Sequence, residues 1–414
     1  MPRTARTVSA SIALALAFGI TACGSSGGAD VAADQKQTLT VWAMGAEGEK
    51  LADVAKVYEK AHPNVTVKVT PVGWDVAHQK LVAAAAAGTL PDVAQMGGSY
   101  LGEFSELGVL EPVDTKVFDE NDFFDSGWSQ GEVDGTAYGV PWYVDTRVLY
   151  YRTDLAEKAG VDKAPATWKE MKDLATAYRK DAGSQWGLSI QPSGLDTVQS
   201  FYPFLYSAGG AIVDEDGKAV IDSPAAVKAL KEYGSYFAQG LSDTSVPPGY
   251  DVVKDFGNGR VPMFFGGPWH VTLLDEGQPQ IKGKWAVANV PADASSTSMA
   301  GGSSLVISKD SEHKAAATEF ISYLTDAEGQ ADWYARTKDL PANTEAWESG
   351  ALADDATLQV FKKQMDTAKA SPPLPNLTEV TDQVDQAIAK VTQGKASAED
   401  ALKTAQSEIE SLVK

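Results

Sequence analysis

An α/β protein in two lobes is the fold class that this sequence predicts, and three observations carry it. Strand, helix and strand follow one another at βαβ spacing from residue 38 onward, which calls for a mainly parallel sheet with helices on its faces. Residues 38–414 exceed the length at which one hydrophobic core stops growing, so the chain divides. The third is residues 138–155, Tyr-Gly-Val-Pro-Trp-Tyr-Val-Asp-Thr-Arg-Val-Leu-Tyr-Tyr-Arg-Thr-Asp-Leu. Val140, Val144 and Val148 favour an extended chain, yet Trp142, Tyr143, Asp145 and Arg147 crowd large polar-tipped side chains into its middle. Two rings, an anion and a cation can offer apolar faces, acceptors and forked donors to a small polar molecule. An interlobe strand in which Asp145 and Arg147 satisfy each other would read the same way.

The N-terminus sets the compartment. Arg3 and Arg6 precede a mostly apolar run over residues 8–20, followed by Thr21-Ala22-Cys23-Gly24-Ser25-Ser26. A basic start, an apolar middle and small residues at the cut are the parts of a secretory signal, and the run is shorter than the ~20 residues of a membrane span. Its end is similar to the bacterial lipobox, in which the thiol is acylated and the chain is cut before it. Residues 1–22 are then a lipoprotein signal peptide and Cys23 the lipidated first residue, although a lone cysteine is otherwise a small buried apolar side chain. Residues 23–37, low in large apolar residues, read as a flexible tether. The net charge of −21 becomes −23 once Arg3 and Arg6 are removed, which argues against nucleic acid and for an uncharged ligand.

Residues 38–43 form a candidate strand. Leu51, Val54, Ala55 and Tyr58 then share a face of a helix over 47–61, stopped by His62-Pro63-Asn64, and Val65, Val67 and Val69 alternate in a second strand. A helix over 75–87 ends at Gly88, and residues 90–95 enter a strand running into Met96-Gly97-Gly98-Ser99-Tyr100. The loops 44–49 and 96–100 lie beyond strand ends, where open α/β sheets hold ligands. Further on come a helix over 167–180 capped by Thr167, a strand over 188–190, an apolar segment over 197–207, and a helix over 225–239 with Ser223 as N-cap and Pro224 in its first turn. Gly266-Gly267-Pro268-Trp269 delivers an indole through a sharp turn. A strand over 305–308, a helix over 314–324, the turn Leu340-Pro341-Ala342-Asn343 and helices over 379–393 and 398–413 complete the chain.

Six features in one order are the lipobox, the opening βαβ unit, Pro91-Asp92-Val93, Val140-Pro141-Trp142-Tyr143-Val144-Asp145, Gly266-Gly267-Pro268-Trp269 and Leu340-Pro341-Ala342-Asn343. Together they resemble the extracellular solute-binding proteins of carbohydrate ABC transporters, solute-binding family 1, and most of all the maltose-binding type, over about residues 38–414. The resemblance implies a two-lobed type II periplasmic-binding-protein fold with a hinge crossed more than once. Lobe one would hold 38–145 and 303–342, and lobe two 146–302 and 343–414. It implies a monomer that captures sugar outside the cytoplasm, anchored to the membrane by lipid on Cys23, and passes it to permease subunits driven by a cytoplasmic ATPase.

Residue by residue, Asp145 matches a hinge carboxylate that accepts hydrogen bonds from sugar hydroxyls, and Trp269, after Gly267, matches an aromatic that stacks under a pyranose. Glu47 stands where the family has a contact of opposite charge. Gln95 and Ser99 replace an aromatic and an acidic residue in a contact loop, and about Thr381 a tryptophan is missing. These departures point away from long maltodextrins, towards a mono- to trisaccharide and a glucoside.

Chemistry adds further candidates. Tyr143 shares a strand face with Asp145 and Arg147, whereas Trp142 faces the other way. Trp74 lies in a strand-to-helix connection, with Asp75 as an N-cap candidate and Gln79 a turn on; Arg336 lies near the end of the return to lobe one. For each, a core or surface role is the alternative. Four scattered histidines and one cysteine give no metal-ligand spacing, so neither metal nor cofactor is expected. The carboxylates keep a glycoside hydrolase as the rival class, and a peptide or polyamine receptor as the rival among binders.

Overall fold

The computed structural model describes residues 35–194, 197–246, 250–348 and 350–413. The expected signal peptide, Cys23 and the expected tether up to residue 34 lie outside the described residues. The strands in chain order are β1 (Gln37–Met44), β2 (Val65–Val72), β3 (Val93–Gly97), the short hairpin β4 (Glu132–Val133) and β5 (Thr136–Ala137), β6 (Gly139–Thr146), β7 (Val148–Tyr151), β8 (Met263–Gly266), β9 (Ala286–Ala288), β10 (Ala300–Ile307) and β11 (Leu340–Pro341). Six of them form one sheet in the order β11-β6-β10-β3-β1-β2, and three form a second in the order β8-β7-β9.

The opening βαβ unit forms as its periodicity predicts. Helix α1 (Gly45–Ala61) buries Leu51, Val54, Ala55 and Tyr58, and β1 pairs in parallel with both β2 and β3. Helix α2 (Trp74–Ala87) ends at Gly88, whose left-handed φ of 65° lets its N–H reach back to the last turn. Thr167 and Glu170 make a capping box, and Ser223 Oγ accepts from the Ala226 N–H ahead of Pro224.

Two expectations need correction. The sheets are mixed: β10 runs antiparallel to β3 and β6, β11 antiparallel to β6, and β7 antiparallel to β8 and β9. A crossover helix enforces parallel pairing, but β10 enters its sheet after a long excursion and β7 follows β6 with a single residue between them. Residues 188–190 make only an isolated bridge, Ser189 to Phe264, rather than a strand.

The central stretch is therefore two strands in two sheets, β6 and β7, meeting at Arg147. The chain passes between the sheets again from β9 to β10. One apolar cluster runs across this junction, from Val41 and Leu305 through Trp142 and Val144 to Val148, Tyr150 and Phe264. A second cluster, with Leu149 at its edge, packs the helices Val198–Ser207, Pro224–Ala238, Leu377–Thr392 and Ala398–Leu412 together. Among the described residues no helix is long and apolar enough to cross a membrane.

Candidate functional site

Four segments on the six-stranded side and one on the other converge on a cleft of about 430 Å³. Glu47 comes from the first turn of α1, Trp74 from the start of α2, Tyr143 to Asp145 from the end of β6, and Thr337 to Leu340 from the turn before β11. Opposite them stand Pro268, Trp269, Thr272 and Leu273, at the start of the helix Trp269–Gly277 that follows β8. Trp74 is 40% and Trp269 42% exposed, so two indoles leave apolar faces open to the cleft, where core tryptophans such as Trp142 are sealed.

Local geometry sets each group. Strand alternation sends Trp142 inward, its ring 4.4 Å from that of Trp333, and Tyr143 towards the cleft. Tyr143 O–H donates to Glu47 Oε1 at 3.1 Å and accepts from Gln95 Nε2 at 3.3 Å, while Gln95 Oε1 accepts from the Met44 N–H at 2.6 Å. Arg147 donates to Asp145 Oδ1 at 2.5 Å, and its guanidinium carbon lies 4.6 Å from the Trp269 ring centroid. One cation thus orients both the carboxylate and the indole. Two glycines are required. A Cβ on Gly267 would lie 2.1 Å from the Trp269 ring, and one on Gly301 would lie 2.6 Å from Asp145 Oδ1.

The electrostatics are acidic and partly desolvated. Asp339, which the sequence reading missed, accepts from Trp333 Nε1 at 3.0 Å and lines the cleft with Glu47 and Asp145. Burial, then the charges of Glu47 and Asp145, push its pKa up to about 6 against the pull of Thr337 and Trp333. Burial and the same carboxylates hold the Tyr143 phenol well above its usual range. Burial and the neighbouring Arg147 push His270 down to about 4, so a neutral imidazole packs behind Trp269 at 5.3 Å between ring centroids.

The other expected residues lie off the lining. Gln95 is fully buried behind Tyr143, and Ser99 is exposed in the turn after β3. Gln79 is exposed on α2, about 140° around the helix from Trp74 at five residues' separation. Arg336 is held by Asp332 one turn back, at 2.7 Å. Thr272 and Leu273 were missed although they follow Trp269 at helical spacing, the one signal that could have found them. Asp339 gave no such signal, because the left-handed Lys338 (φ 70°) that presents it carries neither Gly nor Asn.

A separate cavity of about 280 Å³ borders Thr40, Asp92 and Ser311 at the far end of β1. There Asp92 is engaged by the Thr40 N–H and O–H and by Ser311 Oγ, all within 2.8 Å, which is the pattern of a structural brace. Among the described residues no cluster of three or more His, Cys, Asp or Glu could hold a metal.

Two mixed α/β halves meeting at a strand junction, with a cleft that has an indole on each side and carboxylates on the six-stranded one, define the type II periplasmic-binding-protein class. The chain belongs to the bacterial extracellular solute-binding protein family, whose sequence model matches residues 42–331. It is similar in structure to the sugar-binding protein MalE of Xanthomonas citri, with a TM-score of 0.84 and 33% identity over 91% of this chain and 97% of that one. In sequence it is 27% identical to the maltodextrin-binding protein MdxE of Bacillus subtilis, over 92% of this chain and 91% of that one. It is 26% identical to a maltooligosaccharide ABC transporter solute-binding lipoprotein of Streptococcus pneumoniae R6, over 95% of this chain and 93% of that one.

Proposed function

We propose that this protein is the solute-binding subunit of an ABC sugar importer, and that it captures a mono- to trisaccharide, a glucoside, between its lobes. The observation that carries the reading is that Asp145 and Trp269, from separate parts of the chain, border one cleft and are joined through Arg147. A pyranose stacks its C–H face on the indole while its hydroxyls donate to the carboxylates, each charge-assisted bond contributing ~1.5 to 3 kcal/mol. Glu47, Tyr143 and Trp74 are further ligand contacts from the six-stranded side. The sugar leaves unchanged, so the protein acts by capture rather than catalysis.

Lobe one comprises 38–145 and 303–342 and lobe two 146–302 and 343–414, a division supported by the passage of the chain between sheets at Arg147 and ahead of β10. Sugar favours the closed form because it touches both lobes at once. The closed monomer docks on permease subunits served by a cytoplasmic ATPase, and lipid on Cys23 keeps it at the outer face of the membrane.

Titration calorimetry against glucose, maltose, maltotriose, trehalose and sucrose, with spermidine and a tripeptide alongside, tests the reading. Micromolar or tighter binding of at least one sugar is expected. Binding of spermidine or peptide alone would overturn it, and release of reducing ends during incubation would make the protein a hydrolase.

A further inference from the structure

The six-stranded wall of the cleft has a hydrogen-bond polarity that follows from proton counting. The Met44 N–H can only donate, so the Gln95 group facing it at 2.6 Å is the carbonyl and the amide NH₂ points at Tyr143. That NH₂ cannot accept, so the single phenolic proton of Tyr143 goes to the only acceptor left, Glu47 Oε1. Gln95 is fully buried and absent from the cleft lining, so it reaches the cleft through Tyr143 and, by holding the Met44 N–H at the head of α1, through the turn that carries Glu47.

The carboxylates of this wall match, while the Trp74 indole N–H and the Lys338 ammonium are its donors. Asp145 has one oxygen on Arg147 and Asp339 has one on Trp333 Nε1, which leaves each a further carboxylate oxygen. The Thr337 hydroxyl donates to the Trp333 carbonyl and accepts from the Asp339 N–H. Lys338 is the one ammonium at the rim, and it lies over the Tyr334 ring at 4.9 Å and against the Ala335 carbonyl.

We propose that Gln95 is a positioning residue that fixes the Tyr143 proton on Glu47, and that this makes the carboxylate stretch of the six-stranded wall, Glu47 with Asp145 and Asp339, an acceptor surface selecting sugars by the hydroxyl hydrogens they donate. The proposal rests on the sugar-binding reading and adds to it the sense of each hydrogen bond. A group that only accepts, such as a C–F in place of C–OH, is rejected at these carboxylates as fully as C–H. An ether oxygen placed there is rejected for the same reason.

Two experiments test it on the mature chain. In the first, the panel sugar that binds tightest is titrated beside its monodeoxy and monodeoxyfluoro analogues. At each hydroxyl whose removal weakens binding tenfold or more, the fluoro analogue is expected to bind as weakly as the deoxy one wherever the contact is to Glu47, Asp145 or Asp339. Fluoro analogues that restore affinity at every such position would overturn the acceptor surface. In the second, Gln95→Met, Tyr143→Phe and the double variant form a thermodynamic cycle on Kd. Each single change is expected to cost fivefold or more, and Gln95→Met to cost clearly less in the Tyr143→Phe background than alone, the remainder coming from the Met44 N–H that loses its acceptor. Independent, multiplying losses would overturn the relay, and should Gln95→Met fail to fold, the fluoro series on the unaltered protein still decides the polarity. If no sugar binds, the functional reading falls and this proposal with it; sugar binding with restored fluoro affinities removes this proposal alone.

Discussion

Asp339→Asn should make the protein more stable above pH ~6 and a weaker sugar binder. The carboxyl titrates near 4 in an unfolded chain and at about 6 in the fold, because burial and the charges of Glu47 and Asp145 oppose its ionisation. The native state therefore keeps a proton that the unfolded state has released between pH ~4 and ~6, so stability falls across that window as pH rises. A shift of about two units at ~1.4 kcal/mol each gives an upper bound of ~3 kcal/mol, reached above pH ~6. Asparagine carries no charge and can still accept from Trp333 Nε1, so the variant should escape that cost. Urea denaturation of both proteins from about pH 4 to 8 measures it: the stability difference should be near zero at the acid end and open between ~4 and ~6. A difference independent of pH would refute the electrostatic argument. In calorimetry at neutral pH the same variant should lose sugar affinity, because the ionised carboxylate that strains the empty cleft is what hydroxyl donors satisfy.

Trp269→Ala should lower sugar affinity at least tenfold with the far-ultraviolet circular dichroism unchanged, since the ring is 42% exposed and supports little core; unchanged titration heats would remove it from the site. Gly267→Ala should weaken binding similarly, because the new methyl would lie 2.1 Å from the Trp269 ring and displace it, read as altered tryptophan emission before ligand is added. Cys23→Ala should release the protein from membranes into the medium, and continued retention in the membrane fraction would contradict lipidation.

Where the sequence was legible, one local rule decided the outcome. Helical periodicity placed Leu51, Val54, Ala55 and Tyr58 on the buried face of α1, and strand alternation separated Trp142 from Tyr143. The cap of Ser223 with Pro224 behaved the same way. The misses came from tertiary placement, which periodicity does not encode. Gln95 and Ser99 lie on one short segment, yet the first is sealed beneath Tyr143 and the second faces solvent. Arg336 found a partner on its own helix in Asp332, and nothing in the spacing of Asp339 announced that a left-handed turn would bring it to face Glu47.

In the proposed reading, where Asp145 and Trp269 hold the sugar and the chain hinges at Arg147, the binding groups and the hinge are hard to separate. Arg147 is the single residue between β6 and β7, so in the proposed closure a rotation of one sheet against the other is taken up here as well as where the chain returns ahead of β10. Its side chain holds Asp145 on one side and covers the Trp269 ring on the other. A hinge built from inert residues could swing without disturbing the acceptor or the stacking platform. Here both are tied to Arg147, so the proposal has the carboxylate and indole approach or part as the lobes do. On that proposal, a sugar that bonds Asp145 and stacks on Trp269 at once acts on a residue at one of the passages between the sheets, which is the differential contact that a ligand needs in order to favour one conformation over another.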